Sequence, residues 1–270
     1  MSETNSEPQA KKPVILVEDL SLALPIYGAK PRKRGAKTVL AVGGTLQSLG
    51  RRSSSVLALD RVSFTIEDGD AVGLIGHNGA GKTSLLRVLG GIYKPTAGRC
   101  EVRGKISTLF TNAIGLNQNG TGLENIRLTC ILMGMSKAET EAVVPDIVAF
   151  SELGDYLELP LRTYSAGMRT RLGFALATCM NPDILLIDEV FTTGDRAFRS
   201  KAKARMTSVM RNAKTVVLAS QSPGLMKEFC NKIIWLEHGR LYKSGDAEDI
   251  LEDYANRHAG EPKKDTSDDD

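Results

Sequence analysis

AVGLIGHNGAGKTSLLRVLGG, Ala71 to Gly91, decides the fold. The apolar run AVGLI reads as a buried strand, and GKTSLLRVLGG reads as a helix. Between them lies GHNGAGKTS, Gly76 to Ser84, with three glycines in nine residues. The stretch matches G-x-x-x-x-G-K-T through Gly76, Gly81, Lys82 and Thr83, with His77, Asn78, Gly79 and Ala80 completing the loop. A loop wrapped round a phosphate must turn several backbone N–H groups inward, and side chains would obstruct that wrap. The helix that follows aims its free N–H groups and its positive dipole end at the same anion. Lys82 can reach the outer phosphates, and the Thr83 hydroxyl can ligate Mg²⁺. A glycine-rich turn that binds nothing would have to produce strand, spacing, lysine and helix by coincidence. The pattern is that of nucleoside triphosphate binding, not the dinucleotide fingerprint.

Two further stretches serve the same chemistry. In PDILLIDEV four apolar residues, Ile184 to Ile187, bury a strand, and Asp188 emerges at its end. Asp188 can hold the Mg²⁺ hydration shell, and Glu189 is placed to polarise an attacking water. Asp-Glu after a strand is often only a loop start; beside a phosphate cradle the pair implies hydrolysis of ATP. In YSAGMRTRLGFALAT, Ser165 stands at the start of an amphipathic helix and Gly167 allows close backbone approach. Taken alone, Ser165 reads as an ordinary helix cap.

At 270 residues, with 41% hydrophobic and 25% charged residues, the chain can bury a large core. PVILVEDLSLAL and VLALDRVSFTI read as strands, and CEVRGKISTLF reads as a hairpin. The Gly-, Ser-, Lys- and Arg-rich segment 28–55 reads as a loop excursion with room for a short helix. From about Gly122 to Ala177 the spacing turns helical, which makes an insert in an α/β core. Strand-helix alternation then resumes to a closing helix, EDILEDYANRH. This order argues a mostly parallel sheet covered by helices. The expected organisation is a disordered lead over 1–12, one domain over 13–255 with its helical part at about 122–177, and an acidic disordered tail over 256–270.

Composition excludes several classes. The four cysteines and three histidines are scattered, without metal-ligand spacing. The polar start, MSETNSEPQAKK, reads as no signal peptide, and no apolar run reaches the length of a membrane span. GAKPRKRGAK and GRRSSS are basic against a net charge of +3, as solvated segments or as segments near an anionic membrane or partner. Aromatic residues are few and do not interleave with the basic runs, so no single-strand nucleic-acid platform is visible.

Cradle, helical insert, Ser-x-Gly helix start and strand-Asp-Glu, in this order, resemble the ATP-binding subunit of an ABC transporter over about Val14 to Tyr254. The resemblance implies a P-loop ATPase core with a β-rich N-terminal subdomain and an inserted helical subdomain. YSAGM is similar to the family's signature motif, Glu189 matches the catalytic glutamate, and Gly194 and Asp195 in TTGD match the loop crossing the dimer interface. A head-to-tail dimer is implied, in which Ser165, Ala166, Gly167 and Met168 of one copy close over the γ-phosphate of Mg·ATP in the other copy's cradle. ALPIYGA, TGLENIRL, IDEVFTTGDRAF and LEDYA narrow the resemblance to the polysaccharide-export branch, in the short form without a C-terminal carbohydrate-binding domain. That branch implies export of capsule, O-antigen or teichoic acid through a polytopic membrane permease that handles the polymer. The ATPase would sit peripherally at the cytoplasmic face of the membrane.

Three departures from the family pattern stand out. Gln221 in ASQSP occupies the place of a switch histidine; its amide can donate a hydrogen bond but cannot carry a proton. This keeps open a non-transport ATPase or an ATP-dependent dimerising scaffold with weak hydrolysis. Thr111 or Asn112 stands where many members have a glutamine that bridges the magnesium site, which makes Asn112 a metal-site candidate. Tyr27 in PIYG is the nearest aromatic for stacking on adenine, and equally reads as a core tyrosine.

Overall fold

The structure, a computed structural model, describes residues 13–26, 37–39, 45–48, 54–109, 116–180, 182–188 and 196–258. Tyr27, Asn112, Glu189, Gly194 and Asp195 lie outside the described residues, as do the lead 1–12 and the end of the tail.

Two sheets carry the fold. The first has the order β2-β3-β4-β1-β6 and is antiparallel. Its long strands are β1 (Pro13–Ile26) and β4 (Ser54–Glu67), joined on one edge by β6 (Ala97–Val102). On the other edge lie β2 (Lys37–Val39) and β3 (Thr45–Ser48). These two strands lie in the segment that the sequence reads as a loop excursion. The free edge of β4 offers backbone partners that a helix could not use, and β3 takes them from Thr45↔Leu57 to Ser48↔Ser54.

The second sheet has the order β11-β10-β5-β9-β8-β7. Its strands β5 (Ala71–Ile75), β8 (Ile184–Asp188), β9 (Thr215–Ala219), β10 (Lys232–Glu237) and β7 (Ile106–Leu109) run parallel to one another. Only β11 (Arg240–Asp246) is antiparallel, through its hairpin with β10. All five residues of β9 and the first four of β8 are buried, as continuous apolar runs require when both faces of a sheet are covered.

The expected hairpin in CEVRGKISTLF is not formed. Its two strands, β6 and β7, belong to different sheets. The link between them is held apart from both sides: Arg103 N–H donates to Val14 O (2.8 Å), while Lys105 O accepts from Asp183 and Ile184 (3.0 Å each). Strand pairing with distant partners overrides the local turn because it also buries Leu109 against the main core.

The helical part comprises α2 (Gly122–Leu132), α3 (Lys137–Ser151) and α4 (Ala166–Ala177). Both α2 and α3 begin with a capping box, Thr121 with Glu124 and Ser136 with Glu139. Each cap is worth about 1 kcal/mol. In α5 (Arg196–Asn212), Phe198 packs edge-on against Phe174 and Phe150 of the helical part. Lys201 of α5 meets Glu152 (2.6 Å) beside the same ring. The remaining helices are α1 (Lys82–Leu89), α6 (Pro223–Phe229) and α7 (Ala247–His258). Among the described residues no helix is long and apolar enough to cross a membrane.

Candidate nucleotide-binding site

Parallel pairing explains why distant segments meet. In register, Leu74 of β5 faces Ala219 of β9, which faces Asp188 of β8. The carboxyl ends of three strands therefore line up on one side of the sheet, the usual ligand position in such sheets. The loop after β5 is Gly76–Gly81, the loop after β9 carries Ser220 and Gln221, and β8 ends on Asp188.

The phosphate loop is shaped by its surroundings. Gly76 has φ 148° and Gly81 has φ 109°. A Cβ on Gly76 would lie 2.2 Å from Leu236 O, and one on Gly81 would lie 2.9 Å from Ala58 O. Only bare backbone fits at either place. Lys82 is buried at 7% exposure, and its ammonium donates to Gly76 O (2.6 Å) and His77 O (3.1 Å), inside the loop. His77 Nδ1 donates to Asn78 O at 2.8 Å, while Asn78 and Gly79 are exposed at the tip. Ala80 N–H closes the tip by donating to His77 O (3.0 Å). Thr83 and Ser84 open α1, which has Gly81 as its N-cap.

Thr83 Oγ1 donates to Asp188 Oδ1 at 3.1 Å, across 105 residues of sequence. A hydroxyl oxygen beside a carboxylate oxygen at the dipole-positive end of a helix is the hard-oxygen donor set that suits Mg²⁺. These two side chains would hold the ion. Asp188→Asn is expected to cut Mg²⁺-dependent ATP turnover at least about a hundredfold. The measurement is phosphate release across a magnesium titration; an unchanged magnesium dependence would remove Asp188 from the metal site.

Gln221 Nε2 donates to Asn78 Oδ1 at 2.6 Å. The amide that stands in the histidine position is therefore seated on the phosphate loop itself.

The Ser-Ala-Gly start of α4 lies on the surface. Ser165 caps the helix by accepting from Met168 N–H (3.2 Å), and Ser165, Ala166 and Gly167 are exposed, with Met168 half-buried. The tip is anchored from below by Tyr164, buried at 3% exposure, whose hydroxyl donates to Tyr156 O at 2.6 Å. Burial pushes the Tyr164 phenol above its usual pKa, which keeps it a neutral donor. A Cβ on Gly122 would strike that hydroxyl at 2.3 Å, so TGLEN and YSAGM are two halves of one packing unit. Asn125, 1% exposed, holds the incoming loop by accepting from Asn117 N–H (2.7 Å) and donating to Asn117 O and Thr121 O (3.0 and 2.8 Å). Sequence reasoning passed over Tyr164, Asn125 and Gly122 as working parts. For Asn125 the available signal was a polar residue among apolar neighbours on a helix.

The structure thus brings together the loop 76–84, Asp188 and Gln221. The helix tip 165–168 is not hydrogen-bonded to that loop in any contact among the described residues. Tyr27, Asn112 and Glu189 lie outside the description.

The chain is similar to known proteins. The ABC transporter family model matches residues 59–192. The chain is 42% identical over 238 residues to the O-antigen export system ATP-binding protein RfbE of Yersinia enterocolitica, covering 88% of this chain and 99% of the relative. It is 40% identical to the teichoic acids export ATP-binding protein TagH of Staphylococcus haemolyticus, covering 75% of this chain and 76% of the relative. The O-antigen export system ATP-binding protein RfbB of Myxococcus xanthus is also 40% identical, over 76% of this chain but only 47% of its own length. Among solved structures, an ATP-binding subunit of an ABC transporter superposes with TM-score 0.65 at 22% identity, over 90% of this chain and 94% of that one. A dimeric bacterial ABC transporter cassette, MJ0796, superposes with TM-score 0.61 at 22% identity, over 86% and 98%. With the phosphate loop, the strand-end aspartate and relatives of this coverage in agreement, the chain belongs to the ABC transporter family as an ATP-binding subunit.

Proposed function

We propose that the chain hydrolyses ATP to power export of a cell-surface polysaccharide through a separate transmembrane subunit. The observation that carries this reading is 42% identity across 99% of an O-antigen export ATP-binding protein, with the Thr83–Asp188 pair in place. A teichoic acids export relative at 40% identity supports a surface polymer rather than a small solute as the substrate class.

In this reading the loop 76–84 binds the triphosphate, and Lys82 exchanges its two loop carbonyls for outer phosphate oxygens. Thr83 and Asp188 hold Mg²⁺, which when bound neutralises phosphate charge. Glu189 polarises the attacking water, and Gln221 donates its amide hydrogen toward the same end of the phosphate chain. Asn112 is proposed at the metal site and Tyr27 at the adenine, on the family resemblance alone. Ser165 to Met168 of a second copy complete the site. Two facts support that last step. The tip is exposed, and among the described residues a Cβ on Gly167 would meet nothing nearer than Ser165 Oγ at 3.9 Å. A glycine there leaves room for close approach by a second chain.

The domain boundaries proposed are one ATPase unit over 13–255, with its helical part at about 122–177. The seat for the membrane subunit is the helical part. Leu128, Ile131 and Leu132 lie on one face of α2 by their spacing and are 43%, 56% and 73% exposed. Tyr156 and Leu159 are exposed on the 3₁₀ turn that packs against α2. In this reading the chain works at the cytoplasmic face of the membrane.

The double replacement Ile131→Asp with Leu132→Asp is expected to leave ATP binding by the isolated chain intact. Co-purification with the membrane subunit should fall at least tenfold, at about 1.4 kcal/mol per factor of ten. Undiminished co-purification would move the seat elsewhere. The function itself is tested with both subunits in lipid vesicles. Phosphate release should rise when lipid-linked polymer is supplied, and polymer should cross the bilayer. Release that ignores the polymer favours a non-transport ATPase. No release, with ATP-dependent dimerisation retained, favours the scaffold that the Gln221 position suggests.

A further inference from the structure

Behind the phosphate loop lies the turn between β10 and β11, Glu237-His238-Gly239-Arg240. Both central residues have positive φ, 47° at His238 and 79° at Gly239, which is the geometry of a two-residue primed hairpin. Asparagine followed by glycine is the common choice in such a turn. Here the first position holds histidine, and its ring lies against His77 of the phosphate loop, with centroids 4.6 Å apart and planes tilted by 51°. His77 Nε2 is sealed from solvent and, among the described residues, is one of four buried side-chain polar atoms without a hydrogen-bond partner. The ring packing is thus kept although it leaves a polar atom unsatisfied.

The backbone makes a second connection. Gly239 N–H donates to Ala80 O at 2.9 Å. A trans peptide holds its C=O and the next N–H on opposite sides. Fixing the Ala80 carbonyl on Gly239 therefore turns the Gly81 N–H away from the hairpin. That N–H opens α1, where the anion-seeking donors of the helix start. The turn is itself held from outside. Asp60 N–H donates to Gly239 O (2.8 Å), and the Asp60 carboxylate takes Arg240 through Nε and Nη2 (2.9 and 2.6 Å). A Cβ on Gly239 would lie 2.6 Å from Ala58 O, so β4 and the turn are in backbone contact. From the other side Arg257 of α7 bonds Glu237 (3.2 Å) and lies 4.3 Å from the Tyr242 ring centroid.

From this junction we infer that the β10–β11 turn is a positioning element of the phosphate loop, with His238 acting through His77 and Gly239 acting through Ala80. His238 touches no nucleotide; it presets the loop that does. The inference rests on the nucleotide-binding reading of that loop.

The test uses the full chain and Mg·ATP. His238→Asn keeps a residue that tolerates left-handed backbone but removes the stacked ring. Its Kd and KM for ATP are expected to rise about fivefold, with kcat changed by less than about twofold and the thermal midpoint without nucleotide unmoved. His238→Tyr, which restores a ring over His77, should recover most of the affinity. In a double-mutant cycle, His77→Ser added to His238→Asn should weaken binding no further than His77→Ser alone, because both remove one interaction. Arg240→Gln, at a mostly exposed side chain, carries the same test should His238→Asn not fold, with a rise of about twofold. If native protein binds Mg·ATP and His238→Asn or its substitute binds equally well, or if the two histidine effects simply add, the inference is overturned. If native protein itself does not bind Mg·ATP, it is the nucleotide reading that fails.

Discussion

Gly167→Val is expected to yield a folded protein that binds ATP with native affinity and scarcely hydrolyses it. Among the described residues there is space around Gly167: the nearest atom to an added Cβ is Ser165 Oγ, 3.9 Å away. Replacing glycine by valine in the first turn of α4 changes helix propensity by only roughly a few tenths of a kcal/mol, in valine's favour. The thermal midpoint should therefore hold or rise. What valine removes is close approach by a second chain. If the exposed tip 165–168 closes over a phosphate held in another copy, the added isopropyl group separates the helix start from that phosphate. A charge-assisted contact aimed at a developing charge is worth about a hundredfold or more in turnover. ATP-dependent dimerisation, followed by sedimentation with Mg·ATP, should be lost in parallel. Native turnover in this variant would mean that the tip does not meet nucleotide. Loss of turnover with a fully retained dimer would mean that the glycine serves chemistry rather than approach.

Glu189→Gln should produce the opposite pairing, with dimerisation enhanced and turnover collapsed by about a hundredfold to ten-thousandfold, as expected for loss of a positioned general base. Glu189 follows Asp188 directly, and Asp188 already sits at the carboxyl end of β8 with Thr83 on its Oδ1. Glutamine keeps the size and the hydrogen-bonding reach but cannot accept a proton. ATP should therefore bind, draw two copies together and remain. Single-turnover phosphate release and a sizing experiment on the same sample read both effects. The position of Gln221 sharpens this expectation: its amide donates to Asn78 and cannot act as a general base, so it offers no substitute for a carboxylate at Glu189. Turnover undiminished in Glu189→Gln would assign the water-positioning role to another group.

Much of the site was legible in the chain before any coordinates. A phosphate loop is a local object: its glycines, its lysine and the helix it opens are contiguous, so Gly76 to Ser84 could be read by spacing alone. Asp188 was legible for a similar reason, because four apolar residues followed by an acid mark a buried strand and its exit. The helix start at Ser165 was visible as a cap, since a cap bonds within three residues.

What only the tertiary structure decided is long-range pairing. CEVRGKISTLF has the local appearance of a hairpin, yet β6 and β7 part to separate sheets because their backbone partners, Val14 and Asp183, lie far away in sequence. The excursion before β4 acquires two strands because an edge was open beside it. The seating of Gln221 on Asn78, and of His238 on His77, spans 143 and 161 residues, and no periodicity encodes such contacts. Hydrophobic period and turn chemistry specify each element from its own residues. Which elements become neighbours is set by the shared burial of all of them together, and that sum has no local signature.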